Sequence, residues 1–136
     1  MDIRGTINYL CNLSYYDLES YAGRNFNVVY NHIKDNYDVK PNSLLIPTIF
    51  TCIASDGSLS EEEWYFVASF IGNYSYQEAI ETAGEFYCAE AQDIVRGLVD
   101  KFPGFVKEAY INLCLAILCV DGNISSYESR FLNSII

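Results

Sequence analysis

The chain has 136 residues, of which 51% are apolar, and 18 acidic against 8 basic side chains give it a formal net charge of −10. That length suits one domain with a core that needs no staples, and the apolar share excludes a disordered polymer. The acidic excess excludes neutralising a nucleic-acid backbone or docking on an anionic membrane, and leaves a basic partner, a cation or plain solubility.

Apolar residues recur at helical spacing almost throughout and strand alternation is scarce, so an all-α chain is predicted. From about Ile3 to Ala22, Ile7, Leu10, Leu13 and Leu18 form a stripe with Gly23 as its stop. Phe26, Val29, Tyr30 and Ile33 form a second stripe that ends in the polar stretch Lys34 to Asp38. Pro41-Asn42-Ser43 starts a third helix, with Ser43 as its cap and Pro47 near its first turn. It runs through Ile49, Phe50 and Ile53 to the Asp56-Gly57 break. Ser60 opens a fourth helix with Trp64, Val67, Phe70 and Ile71 inside, ended by Gly72-Asn73. Tyr76 to Tyr87 reads as helix, with Glu78, Glu81 and Glu85 on a solvated face that Glu90 and Asp93 continue. Ala91 to Phe102 follows, and after Pro103-Gly104 comes the longest apolar helix, Phe105 to Val120. A last helix from Ser126 carries Phe131, Leu132, Ile135 and Ile136.

The five cysteines are Cys11, Cys52, Cys88, Cys114 and Cys119, an odd number with no Cys-x-x-Cys pair. Cys52, Cys114 and Cys119 fall in apolar runs, the pattern of buried thiols in a reducing compartment. The single histidine, His32, has no neighbouring ligand pattern, so a cysteine–histidine metal site is not expected. The N-terminal residues lack the apolar region of a signal peptide, and no apolar run is long enough to span a bilayer. The expected location is cytoplasmic.

The strongest signal is an internal repeat. Asp56-Gly57-Ser58-Leu59-Ser60-Glu61-Glu62-Glu63 recurs as Asp121-Gly122-Asn123-Ile124-Ser125-Ser126-Tyr127-Glu128. At the same offset Ile46 aligns with Ile111, Phe66 with Phe131 and Ser69 with Ser134. Ile49, Phe50, Cys52 and Ile53 fall on Cys114, Leu115, Ile117 and Leu118. The predicted architecture is one all-α domain over 1–136, in which two helix–Asp-Gly turn–helix hairpins, about 44–72 and 109–136, are related by a pseudo-two-fold. The long helices Leu45–Ser55 and Phe105–Val120 lie at its centre. A helical extension over about 1–40 and linking helices complete it.

Each motif copy has a purely structural explanation. Ser60-x-x-Glu63 and Ser125-x-x-Glu128 are capping boxes, Glu61 and Glu62 suit a helix N-terminus, and Gly57 and Gly122 end the preceding helices. Leu59 and Ile124 are hydrophobic staples. Asp56 and Asp121 follow helix C-termini, where a carboxylate opposes the dipole and needs a partner. Asp-Gly-x-(Ile/Leu)-x-x-x-Glu also has the spacing of the second half of an EF-hand loop. The earlier ligand positions are Cys52 and Ala54 in one copy, and Ile117 and Cys119 in the other. None of these supplies a side-chain oxygen, which excludes a conventional EF-hand. Four carboxylates remain. If the hairpins face one another, their repulsion calls for a cation, a basic partner or raised pKa values.

Two such turns, each after an apolar helix ending in Ile53-Ala54-Ser55 or Leu118-Cys119-Val120, resemble the TerB-like domain family, named for a tellurite-resistance protein and also similar to a domain of a DnaJ-type co-chaperone. The resemblance is strongest over about Leu44 to Ile136. The chain departs from the family at Ser55 and Val120, where a small apolar residue is common. The resemblance implies an all-helical, pseudo-two-fold, non-enzymatic module with an acidic divalent-cation site, for calcium or magnesium, or an interaction surface. By motif position the metal residues are Asp56, Glu63, Asp121 and Glu128. A stress-response accessory role follows, with a protein partner or a homo-oligomer and no nucleic acid.

A second function class is an acidic immunity or inhibitor protein that neutralises a basic toxin. Tyr9, Tyr15, Tyr16, Tyr21 and Tyr30 suit either a core rim or a protein interface. Trp64 reads as a core or partner-facing aromatic, and His32 as a surface or cap residue. A metal-assisted hydrolase ranks last, because no nucleophile, histidine ligand or phosphate loop supports it.

Overall fold

The computed structural model describes residues 3–53, 59–71, 75–86 and 88–120; the side chains of Ile3 and Ile53 are outside that description. Its elements are α1 (Ile3–Cys11), α2 (Tyr15–Asn36), α3 (Pro41–Ile53), α4 (Glu61–Ile71), α5 (Tyr76–Phe86), α6 (Ala89–Asp100) and α7 (Gly104–Leu118). Among the described residues there is no strand, in agreement with the all-α reading. The expected helix from Ser126 and the second hairpin's turn lie outside the described residues.

α7 is the centre of the molecule. Ten of its fifteen residues are buried, including Tyr110, Leu113, Cys114, Leu115, Ile117 and Leu118; Glu108 is exposed and Lys107 and Asn112 partly so in its first half, and from Leu113 to Leu118 it is buried all round. A helical stretch apolar all round must be enclosed by other helices. Its most extensive neighbour is α2, whose Leu18, Ala22, Phe26, Val29 and Ile33 form a stripe at helical spacing. α3 and α4 complete the wall with Leu45, Ile49, Phe50, Trp64, Phe66 and Val67. Each fully buried Leu, Ile, Val or Phe contributes about 1.5–3 kcal/mol relative to an exposed one. Trp64, at 2% exposure, is a core residue.

Positions that the sequence repeat aligns share their burial. Ile49, Phe50 and Cys52 are buried, and so are the residues that align with them, Cys114, Leu115 and Ile117. Both stripes thus face the core at the same register.

Several boundaries differ from the sequence reading. The first break falls between Cys11 and Tyr15, not at Gly23. Ser14 caps α2, its Oγ accepting the Asp17 N–H at 3.1 Å, and Gly23 lies in the helix interior against Phe70. α3 starts at Pro41, where a missing N–H costs nothing. Ser43 is inside the helix, with its hydroxyl donating to the Lys40 carbonyl at 2.6 Å. Pro47 is consequently internal rather than first-turn. It leaves the Ser43 carbonyl without its helical donor, on a solvent-exposed residue. α6 begins at Ala89, capped by Cys88, whose Sγ accepts the Ala91 N–H at 3.4 Å.

Candidate functional site: the shared end of the bundle

The directions of the helices decide whether the two Asp-Gly turns are approached from one side. α2 and α7 run antiparallel. His32 near the end of α2 meets Phe102 just before α7, with ring centroids 5.4 Å apart. Asn25 accepts from Asn112 at 3.5 Å midway, and Cys11, just before α2, meets Cys119, just after α7, at 3.4 Å. α4 runs in the direction of α2, since Tyr15 packs on Phe66 (5.7 Å) and Phe26 on Phe70 (5.4 Å). α3 and α4 form a hairpin, with Phe50 near the end of α3 stacked on Trp64 in the first turn of α4 (6.2 Å). The later part of α3 therefore lies at the end of the bundle where α4 begins. The flanks of α3 and α7 are tied at mid-height by the buried Tyr110 hydroxyl, which donates to the Thr48 carbonyl at 2.9 Å. The C-terminal ends of α3 and α7, the start of α4 and the start of α2 all occupy one end of the bundle.

Of the four acids singled out by the motif, Glu63 is the one within the described residues; Asp56, Asp121 and Glu128 lie outside them. Glu63 is a capping-box residue, as its spacing from Ser60 requires. Its Oε1 accepts the Ser60 N–H and its own N–H donates to Ser60 Oγ, both at 3.1 Å. At 6% exposure it is nearly sealed from water. Leu59, beside it, is also buried, and its carbonyl accepts from the Tyr76 hydroxyl at 2.9 Å, which fixes the start of α5 against the turn. The first turn of α4 thus holds one buried carboxylate, Glu63, and two exposed ones, Glu61 and Glu62. Among the described residues no three His, Cys, Asp or Glu side chains gather as metal ligands.

Around this end stand Tyr9, Tyr15, Tyr16 and Tyr65, all exposed, with Tyr16 at 75%. Exposed Asp17 and partly buried Glu19 share the first turns of α2 with Tyr15 and Tyr16. Burial against α4, and then the negative charge of Glu19, push the Tyr15 hydroxyl above its ordinary value. Tyr21, by contrast, packs edge-on against Tyr9 and borders the core. The tyrosines singled out by the sequence are thus divided between a core rim and an open surface.

A second capping box escaped the sequence reading. Ser75 and Glu78 exchange the same pair of hydrogen bonds at 3.2 Å as Ser60 and Glu63 do at 3.1 Å. Glu78 is exposed as expected, but it also starts α5, and the Ser-x-x-Glu spacing was the available signal. His32 packs edge-on against Tyr37 and Phe102, and its Nδ1 lies 3.2 Å from the Asn36 amide. It is a helix-packing residue. Cys52, Cys114 and Cys119 are buried, as their apolar runs require, whereas Cys11 and Cys88 are exposed. No described helix is long and apolar enough to cross a membrane.

No family model matches the sequence, no curated protein is found similar to it, and no solved structure matches its fold.

Proposed function

We propose that the chain is a non-catalytic helical module of the TerB-like type, which uses its paired Asp-Gly turns as one acidic site for a divalent cation. The supporting observation is that the later parts of α3 and α7, which precede the two turns in sequence, lie at one end of the bundle. Hard carboxylate oxygens suit calcium or magnesium. Asp56, Glu63, Asp121 and Glu128 are the candidate ligands. Glu63 would have to hold a cation while its Oε1 keeps the Ser60 cap. Calorimetry with calcium, magnesium and manganese at constant ionic strength tests the reading. Saturable binding is expected, with an affinity loss of about tenfold or more in Asp56→Asn/Asp121→Asn, a loss of at least about 1.4 kcal/mol. Absence of saturable heat with all three ions removes the metal site.

One observation favours a second reading. The exposed Tyr9, Tyr15, Tyr16 and Tyr65 accompany Asp17, Glu61 and Glu62 on this end. Tyrosine beside carboxylate suits a basic protein surface, where rings and charges engage Lys and Arg together. On this reading the chain is an acidic inhibitor of the immunity type. Co-purification with a basic toxin or nuclease, lost in Tyr16→Ala and in Glu61→Lys, selects it. Retention of the partner by both variants eliminates this face as the contact.

A further inference from the structure

Two thiols that are 108 residues apart in sequence meet at the same end of the bundle. Cys11 closes α1 and Cys119 is the C-cap of α7, and their sulfurs are 3.4 Å apart. A disulfide needs about 2.05 Å, so the two sulfurs are in contact and not yet bonded. Cys11 is exposed, whereas Cys119 is buried at 5%. One sulfur is therefore open to a solvent-borne oxidant, and the other waits beside it, shielded. The remaining cysteines do not share this arrangement: Cys52 and Cys114 are buried, and Cys88 caps α6.

We propose that Cys11 and Cys119 form a peroxide-oxidisable dithiol. The Cys11 thiolate attacks one oxygen of a hydroperoxide, the O–O bond breaks, and hydroxide or alkoxide leaves with the electron pair. Cys11 is now a sulfenic acid. The Cys119 sulfur attacks it, the S–O bond breaks, and water departs with the Cys119 proton. Two thiols and one hydrogen peroxide give one disulfide and two waters, and a dithiol reductant reverses the change. The disulfide links α1 to the end of α7, two residues before Asp121. It closes a loop through most of the chain, so it restricts the unfolded state and stabilises the oxidised form.

The experiment treats the full chain with hydrogen peroxide and counts thiols, with peptide mapping under non-reducing conditions. The denatured thiol count is expected to fall from five by two, and the count accessible in the native chain by one, that of Cys11. The mapped cross-link is Cys11–Cys119 within one chain, and the melting temperature rises until reductant is added. Cys11→Ser, at an exposed position, folds and forms no intramolecular disulfide. Cys88→Ser forms it normally. A cross-link between other cysteines, intermolecular disulfides alone, or over-oxidation of Cys11 without loss of the Cys119 thiol overturns the proposal. So does an unchanged thiol count.

Discussion

At the scale of a residue, Glu63 carries the most meaning, because it belongs both to the cap of α4 and to the repeated acidic motif. Its capping role follows from the Ser-x-x-Glu spacing and was legible without coordinates. Its near-complete burial was not, because that depends on Leu59 and Trp64 packing around the turn as core residues. Spacing alone also failed to separate Glu78 from its solvated neighbours, although Ser75 stands three residues before it. Cys88 shows the limit of such rules, since a thiol acting as a cap has no sequence signature. The two roles of Glu63 part under substitution. Gln retains an oxygen acceptor for the Ser60 N–H, so Glu63→Gln should lie within about 0.5 kcal/mol of wild type. Ala retains nothing, and Glu63→Ala should cost about 0.5–2 kcal/mol. Urea denaturation in the absence of divalent ions measures both. A Gln variant as unstable as the Ala variant would mean that the negative charge itself is used there.

At the scale of an element, periodicity marked the described stretches as helical, but it ran α1 into α2, and glycine and proline misled the boundaries. Gly23 was read as a stop and is instead a helical residue in the longest helix, of 22 residues. The hydrogen-bonding side chain at Ser14 outweighs a glycine's propensity, and Leu18, Ala22 and Phe26 keep one apolar face continuous through it. Pro47 was placed in a first turn because Ser43 resembled a cap. Pro41, a residue suited to the first helical position, was the better start. Gly23 tests this account directly. A Cβ there would sit 3.7 Å from a Phe70 ring carbon, an ordinary contact, and the backbone has no left-handed torsion. Gly23→Ala should therefore raise stability by about 0.5–1 kcal/mol, through helix propensity and a less free unfolded chain. Chemical denaturation with an unchanged slope supports it. A loss of stability would mean that α2 and α4 cannot separate by the small amount a methyl requires.

At the scale of the whole molecule, the central position of α7 was legible from its apolar run Leu113 to Val120, and the positions aligned by the sequence repeat are buried alike. The partnership of α2 with α7 was not legible, since nothing local says which of several amphipathic helices a fully apolar one chooses. The same holds for the Cys11–Cys119 contact, which only chain topology creates. Tyr110 joins these levels, because it ties α7 to α3 at the centre of the core. Its hydroxyl is fully buried, and burial first, then the neighbouring thiols Cys114 and Cys52, raises its pKa well above the ordinary 10.0. In the unfolded chain Tyr110 ionises near pH 10, whereas in the folded chain it keeps its proton. Above that pH the native state binds more protons than the unfolded one, so stability falls as pH rises. Below it the contribution is fully present. Tyr110→Phe should cost about 1 kcal/mol at pH 7 through the lost bond to the Thr48 carbonyl. The variant cannot ionise there, so its curve should descend less steeply above pH 10, and the gap to wild type should narrow. Urea midpoints collected from pH 7 into the alkaline range measure the two curves. Parallel descent would show that the alkaline loss arises from the other tyrosines and lysines, with Tyr110 serving as a hydrogen-bonded strut alone.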